Sequence, residues 1–252
     1  MEPLHSLFVS KKMKVQSIKT RIFKENENLF DFILKYIPKV KERDIIVITS
    51  KIVALSEGRT AVFKTEKEKE KIIKAESSFA FKTKFVWLTI KDQMVMANAG
   101  IDESNANGKI VLLPKNSFST AQVICNRLKK FYKIKNLGVI ISDSAIFPMR
   151  TGVLGSAIGY AGFQGVKEYI GKKDIFGRKL EFSSTNLADS LATTATVCMG
   201  EGDEQRPLAV IKDAPVVFIK KIKSDEISIN PKEDMFFPMI KNIKDKSYAK
   251  KK

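Results

Sequence analysis

Histidine is nearly missing from this chain: its 252 residues include one, His5. That excludes Ser-His-Asp and Cys-His nucleophilic catalysis and ordinary zinc sites, all of which need an imidazole as base or ligand. Cysteine is almost as scarce. Cys125 and Cys198 are too far apart for a paired-thiol metal site or a disulfide framework, and both sit on apolar helical patterns where a buried thiol is expected. No apolar run reaches the roughly 18 residues of a membrane-spanning helix. The start offers only Leu7-Phe8-Val9, with no long hydrophobic region and no small-residue cleavage site, so no signal peptide is expected and the chain reads as cytoplasmic. Met13 as an alternative start leaves residues 1–12 as a flexible extension. Glycine-based nucleotide signatures are missing too. There is no G-x-G-x-x-G, and the run from Gly165 to Lys172 has neither the spacing nor the following Ser or Thr of a phosphate-binding loop. If a nucleotide binds, metals, backbone and scattered polar side chains must hold its phosphates.

Arginine is the next deficit. The formal net charge is +17, yet only seven of the 45 basic residues are arginine and 38 are lysine. Bidentate readers of phosphate and guanine favour arginine, so nucleic acid is not expected as the main partner. Much of the excess charge lies in the mixed run from Lys64 to Lys71 and in the lysine-rich tail 241–252. The first reads as a solvated helix with i,i+4 pairs, the second as a frayed end. What remains is a positive field that draws in anionic small substrates.

With 44% hydrophobic residues the chain can bury a real core. Val15 to Ile22 is strand-like, Leu29 to Ile37 has a helical apolar face ending at Pro38, and Asp44 to Thr49 is a buried strand. A charged helix over 65–76 follows a turn at Gly58. Trp87 to Ile90, Met94 to Met96 and Ile110 to Pro114 are short strands. Ala121, Ile124, Leu128 and Phe131 mark a helix face, leading to a second buried strand, Leu137 to Ile141, that ends at Ser142-Asp143-Ser144. Glycines punctuate an apolar strand from Gly152 to Gly162. Leu187 to Cys198 forms a helix with Ser183, Ser184 and Thr185 as cap candidates and a stop at Gly200. Leu208 to Ile211 closes as a strand. No repeat appears, and helices and strands mix without regular βαβ alternation, which predicts an α+β fold with mixed and antiparallel sheets and packed helices.

The most informative stretch is Asn98-Ala99-Gly100-Ile101-Asp102-Glu103-Ser104-Asn105, which gathers two carboxylates, a hydroxyl and two carboxamides around one glycine. On a loop between strands it reads as a metal and phosphate site; as ordinary turn vocabulary it reads as a solvated turn. Two further acidic sites stand at edges of structure: Asp143, and Glu201 with Asp203 and Glu204. Together they make the oxygen donor set that one or two Mg²⁺ or Mn²⁺ ions require. Asp143, at the end of a buried strand beside the Ser144 hydroxyl, is the most suggestive, with a helix or turn cap as its plain alternative. Ser50 and Lys51, after another buried strand, are phosphate-contact candidates, or a plain strand-to-helix turn.

These pieces combine. Thr49-Ser50-Lys51-Ile52-Val53 with Glu57-Gly58-Arg59, Asn98 to Asn105 with Leu112-Leu113-Pro114, Ile140-Ile141-Ser142-Asp143-Ser144, Pro148 with Arg150 and Gly152, Ala157-Ile158-Gly159, and Met199-Gly200-Glu201 resemble the CofE-type γ-glutamyl ligases. Tyr169 with Gly171, Asp174, Gly177 with Arg178, and Ala188-Asp189 continue the order, so the likeness spans about residues 15 to 212. The resemblance implies a ligase in which GTP phosphorylates a substrate carboxylate and L-glutamate attacks the acyl phosphate to form an amide. It implies Asp102 and Asp143 on one divalent cation, and Ser144 and Glu201 on a second. Ser50, Asn105, and the loop Met199, Gly200, Glu201, Gly202, Asp203, Glu204, Gln205 and Arg206 would line the GTP site. So would Lys19, Thr20, Arg21 and Ile22, where Thr20 replaces the family's usual proline. It further implies two intertwined subdomains within residues 13–240 and a homodimer with the cleft near the subunit contact.

Two departures matter. Leu55 stands where the family commonly has a lysine, and Ser144-Ala145-Ile146-Phe147-Pro148-Met149-Arg150 replaces a T-F-G-R-P-W-R run, losing its first arginine and its tryptophan. The metal set is kept while the acceptor loop is rewritten. The default acceptor is coenzyme F-420-0, with folate as the alternative within the same family; a non-catalytic nucleotide-binding homologue is the alternative outside enzymology.

Overall fold

A computed structural model describes residues 12–236 together with 238 and 239. The expected extension (apart from Lys12), His5 and the lysine-rich tail lie outside the described residues. The chain runs Lys14–Ile18 (β1), Leu29–Tyr36 (α1), Ile45–Thr49 (β2), Ser50–Ser56 (α2), Thr60–Ala61 (β3), Glu66–Ala75 (α3), Phe79–Lys82 (β4), Trp87–Lys91 (β5) and Met94–Ala97 (β6). It continues through Ile110–Val111 (β7), Ser117–Tyr132 (α4), Gly138–Ile146 (β8), Val153–Ala161 (β9), Val166–Glu168 (β10), Ser184–Asn186 (β11), Leu187–Met199 (α5) and Leu208–Lys212 (β12).

The two unbroken apolar runs lie side by side: β2 and β8 pair in parallel at the centre of a five-stranded sheet ordered β1-β12-β2-β8-β9. The other three pairings in this sheet are antiparallel. Alternation then sorts the side chains by face. Ile46, Ile48, Val139, Ile141, Leu208 and Val210 pack with α1, α2 and α4; Ile45, Val47, Ile140, Ala209 and Ile211 pack with α5. Because both faces are covered, these strands show no polar alternation. A three-stranded antiparallel sheet, β4-β5-β6, and two small antiparallel pairs, β3-β7 and β10-β11, complete an α+β architecture. Among the described residues no helix is long and apolar enough to cross a membrane.

Several expected boundaries move. The strand through Leu137 to Ile141 does not end at Asp143. It shifts register between Ile141 and Ser142 and continues to Ile146, because β9 pairs along its whole length. Beyond the irregularity Ser144 and Ile146 are exposed while Asp143 and Ala145 stay partly buried. Ser184 and Thr185 do not cap α5, since both are paired in β11; Asn186 is the cap, accepting from the Asp189 amide at 3.0 Å. Phe131 is exposed, meeting Phe30 edge-on rather than entering the core. The strand expected over 15–22 stops at Ile18, and that over 110–114 at Val111, although Leu112 and Leu113 stay buried. Cys125 is buried as expected and Cys198 is half-buried.

Candidate active site

The carboxyl end of β2 and the stretch of β8 just past its register shift, Ser142 to Ser144, open onto a cleft of about 880 Å³. Its walls are the first turn of α2, the loop after β6, the loop after α5 and an extended strap over 20–25.

The loop after β6 is built on three consecutive left-handed residues: Asn98 (φ 50°), Ala99 (φ 57°) and Gly100 (φ 70°). Asn tolerates this region and Gly is indifferent to it, but Ala99 is strained by about 1 kcal/mol and must be held. Buried Thr89 holds it, taking the Ala99 amide at 2.8 Å while donating to the Met96 carbonyl at 2.7 Å. Gly100 has a second constraint, since a Cβ there would lie 2.6 Å from Leu113. The turn delivers Asp102 to β7, where it exchanges backbone bonds with Val111 at 3.0 and 2.8 Å. Its carboxylate points into the cleft and meets the Lys51 ammonium at 2.7 Å.

Directly after β2, Ser50 and Lys51 reach the two aspartates in turn. Buried Ser50 donates to Asp143 Oδ1 at 2.6 Å, and Lys51 also donates to the Ser104 carbonyl at 2.8 Å. Next to Asp143, Ser144 donates to Glu201 Oε2 at 2.7 Å. Glu201 is placed by the stop of α5. Gly200 ends the helix at φ 84°, a conformation that strains any side chain, and Glu204 accepts the Gly202 amide at 2.8 Å. Asn105 donates to the Gly202 carbonyl at 3.1 Å, tying the two acidic loops together. The strap joins them through the Thr20 amide, which donates to the Gln205 carbonyl at 2.8 Å.

Electrostatically the cleft is unbalanced. Withdrawal from water pushes the Asp143 carboxyl up to about 6, with Asp102 and Glu201 adding to the rise and the Ser50 and Ser144 hydrogen bonds opposing it. No cation among the described residues pairs with it. Asp102 goes the other way: burial raises it, but the Lys51 ammonium and the Ser104 bonds outweigh that and hold it below the ordinary carboxylate range. Among the described residues no three acidic, histidine or cysteine side chains converge as a ready-made metal cage. The donor set is nonetheless oxygen only, and a half-buried carboxylate within electrostatic reach of Asp102 and Glu201 fits a hard divalent cation.

Asp102, Asp143, Ser144, Glu201, Ser50, Asn105 and the whole 199–206 loop line this one cleft, as do Thr20, Arg21 and Ile22; Lys19 does not. The Arg21 guanidinium is turned to Glu27 and stacks over Phe32. Glu25, Thr60 and Lys109 also line the cleft, with Lys109 2.5 Å from Glu25 and Thr60 bonded to the same carboxylate. Sequence reasoning missed these three because nothing local marks a contact that spans 35 to 84 residues.

A family profile described as F420-0:Gamma-glutamyl ligase matches residues 17–93 and 69–213. A Methanococcus maripaludis (strain C6) protein named Coenzyme F420:L-glutamate ligase is 36% identical over 245 residues, covering 89% of this chain and 97% of that protein. A protein of the same name from Methanocaldococcus jannaschii is 35% identical over 253 residues, covering 90% and 97%. One from Archaeoglobus fulgidus is 31% identical over 209 residues, covering 76% and 83%. The chain belongs to the F420-0:gamma-glutamyl ligase family.

Proposed function

We propose that this family member is a GTP- and divalent-cation-dependent γ-glutamyl ligase that joins L-glutamate to the carboxylate of coenzyme F-420-0, working in the cytoplasm as a homodimer. The observation that carries this reading is the convergence of Asp102, Asp143, Ser144 and Glu201 on one cleft together with Ser50, Asn105 and the 199–206 loop. A carboxylate oxygen is a poor leaving group, so it must be activated. The γ-phosphoryl of GTP passes to the acceptor carboxylate with release of GDP. The glutamate amine then attacks the acyl carbon, a C–N bond forms, inorganic phosphate leaves and the amine gives up its proton.

Asp102, Asp143, Ser144 and Glu201 would hold one or two Mg²⁺ or Mn²⁺ ions, which supply neutralisation of phosphate charge when bound. The rest falls to the protein's own groups. Ser50 orients Asp143, Ser144 orients Glu201, and Asn105 keeps the two acidic loops in register, so the carboxylates are set before substrate arrives. The homodimer is supported by large apolar side chains left in water on the turn after β8, at Phe147 and Met149, and on the arm between β10 and β11, at Ile175 and Phe176.

The same turn favours one second reading, a folate-type acceptor, because it keeps the Ser144 hydroxyl, Pro148 and Arg150 but has Phe147 and Met149 in place of the first arginine and the tryptophan of the family run. Incubation with GTP, Mn²⁺, labelled glutamate and each acceptor in turn decides between them. Glutamate entering F-420-0 supports the first, entry into a folate the second. Tight binding of a GTP analogue with no glutamate entering either acceptor would overturn the ligase assignment in favour of a non-catalytic nucleotide binder.

A further inference from the structure

Among the described residues, Lys51 is the one cation in the cleft that touches a carboxylate of the proposed metal set. Lys109 is engaged by Glu25, Arg21 by Glu27, and Arg206 Nη1 by the Cys198 carbonyl at 3.4 Å. The Lys51 ammonium is held instead by three oxygens of different kinds: the Asp102 carboxylate at 2.7 Å, the Ser104 carbonyl at 2.8 Å and the Ser104 hydroxyl at 3.2 Å. Carboxylate, carbonyl and hydroxyl are also what a hard divalent ion takes. Asp102 has little to spare, since its other oxygen accepts the Ser104 amide at 2.7 Å.

We infer that Lys51 occupies the cation seat beside Asp102 until a divalent ion enters, and then turns its ammonium to the nucleotide phosphates. The inference rests on the metal- and GTP-dependent reading above. An ammonium and a divalent ion compete for one carboxylate oxygen, because at contact distance their repulsion offsets the little that a partly exposed ion pair is worth. Lys51 can leave cheaply. Its backbone is fixed in α2, one residue after the Ser50 that grips Asp143, while its four-carbon stem swings the charge without moving the helix. The seat is thereby kept from collapsing on itself when empty of metal, and the displaced charge is delivered where the phosphates of an incoming nucleotide need it.

The test is a pair of binding measurements on the full chain, wild type and Lys51→Met: Mn²⁺ affinity without nucleotide, by electron paramagnetic resonance of the free ion, and affinity for a non-hydrolysable GTP analogue at saturating Mn²⁺. Removing a competing ammonium predicts Mn²⁺ binding about three- to fivefold tighter. Losing a charge-assisted phosphate contact predicts nucleotide binding about tenfold weaker. Opposite signs are the signature, since a merely structural lysine would weaken both or neither. Mn²⁺ affinity unchanged or reduced in Lys51→Met overturns the exchange while leaving the metal site standing. Wild type that binds no Mn²⁺, with or without the analogue, overturns the metal reading itself and the exchange with it. If the variant does not fold, ammonium-selective NMR of the wild type reads the same event. The protected Lys51 signal should be lost on adding Mg²⁺, and its persistence at saturating Mg²⁺ contradicts the exchange.

Discussion

Two half-buried carboxylates in this molecule are treated in opposite ways. Glu76, at the end of α3, is gripped by Arg59 at 2.7 Å and Lys91 at 2.9 Å. Burial raises its carboxyl, but the two cations overcome that and hold it below the usual glutamate range. Asp143, on β8, has a hydroxyl for company and two carboxylates nearby, and its carboxyl is pushed up to about 6. One charge is neutralised from within because its task is to fasten β3, α3 and β5 together. The other is left short of positive charge by its own chain, which is the condition in which a carboxylate binds something from outside.

The contrast predicts that substitutions at the two sites separate activity from stability. Asp143→Asn should lower kcat by about three orders of magnitude, the scale of losing a metal ligand's electrostatic contribution, while the metal-free protein unfolds at equal or higher denaturant. Steady-state glutamate incorporation and urea melts check this; a large loss of stability with kcat kept would reverse the roles of the two carboxylates. Glu76→Gln should leave kcat near wild type and reduce stability by about 1 to 3 kcal/mol. The reduction falls short of a fully buried pair's because the side chain keeps 19% of its exposure.

Acid and alkali should act on the two groups with opposite sign. Asp143 titrates near 6 when folded and near 3.9 when unfolded, so the native state holds the extra proton. Its favourable contribution is complete below about pH 4 and is lost as pH climbs through 6, about 1 to 2 kcal/mol after allowing for residual solvent contact. Glu76 is depressed instead; its contribution stands above the ordinary glutamate range and disappears as pH falls through and below it. Urea melts of metal-free protein from pH 4 to 8 should show the alkaline loss vanish in Asp143→Asn and the acid loss shrink in Glu76→Gln. The smallest effect is expected at Glu70→Gln. Its partner Lys74 is exposed at i,i+4, and a denaturation midpoint within about 1 °C of wild type is predicted.

How much of this was legible in the sequence follows from the range of each interaction. β2 and the first half of β8 were readable because strands buried on both faces are apolar without a break, and α1 and α3 because their apolar or charged periodicity is local. The continuation of β8 past Asp143 was not, since it depends on β9 arriving alongside, and neither was Asn186 as the cap of α5, since β10 claims Ser184 and Thr185. At the site, the ordered motifs pointed to Asp102, Asp143, Ser144 and Glu201. Lys51 against Asp102, Thr89 under Ala99 and the Glu25-Thr60-Lys109 group needed the fold, because each joins residues that no spacing rule relates.

Asp143 has the Ser50 hydroxyl but no cationic partner among the described residues, and on the metal-dependent reading a divalent cation takes that place. Thermal denaturation at pH 7 with and without Mn²⁺ tests this central claim most directly, since a ligand that binds only the native state raises the midpoint. The prediction is an Mn²⁺-dependent rise of several degrees in wild type and in Glu76→Gln, and none in Asp143→Asn. An equal rise in all three proteins, or none in wild type, would contradict it.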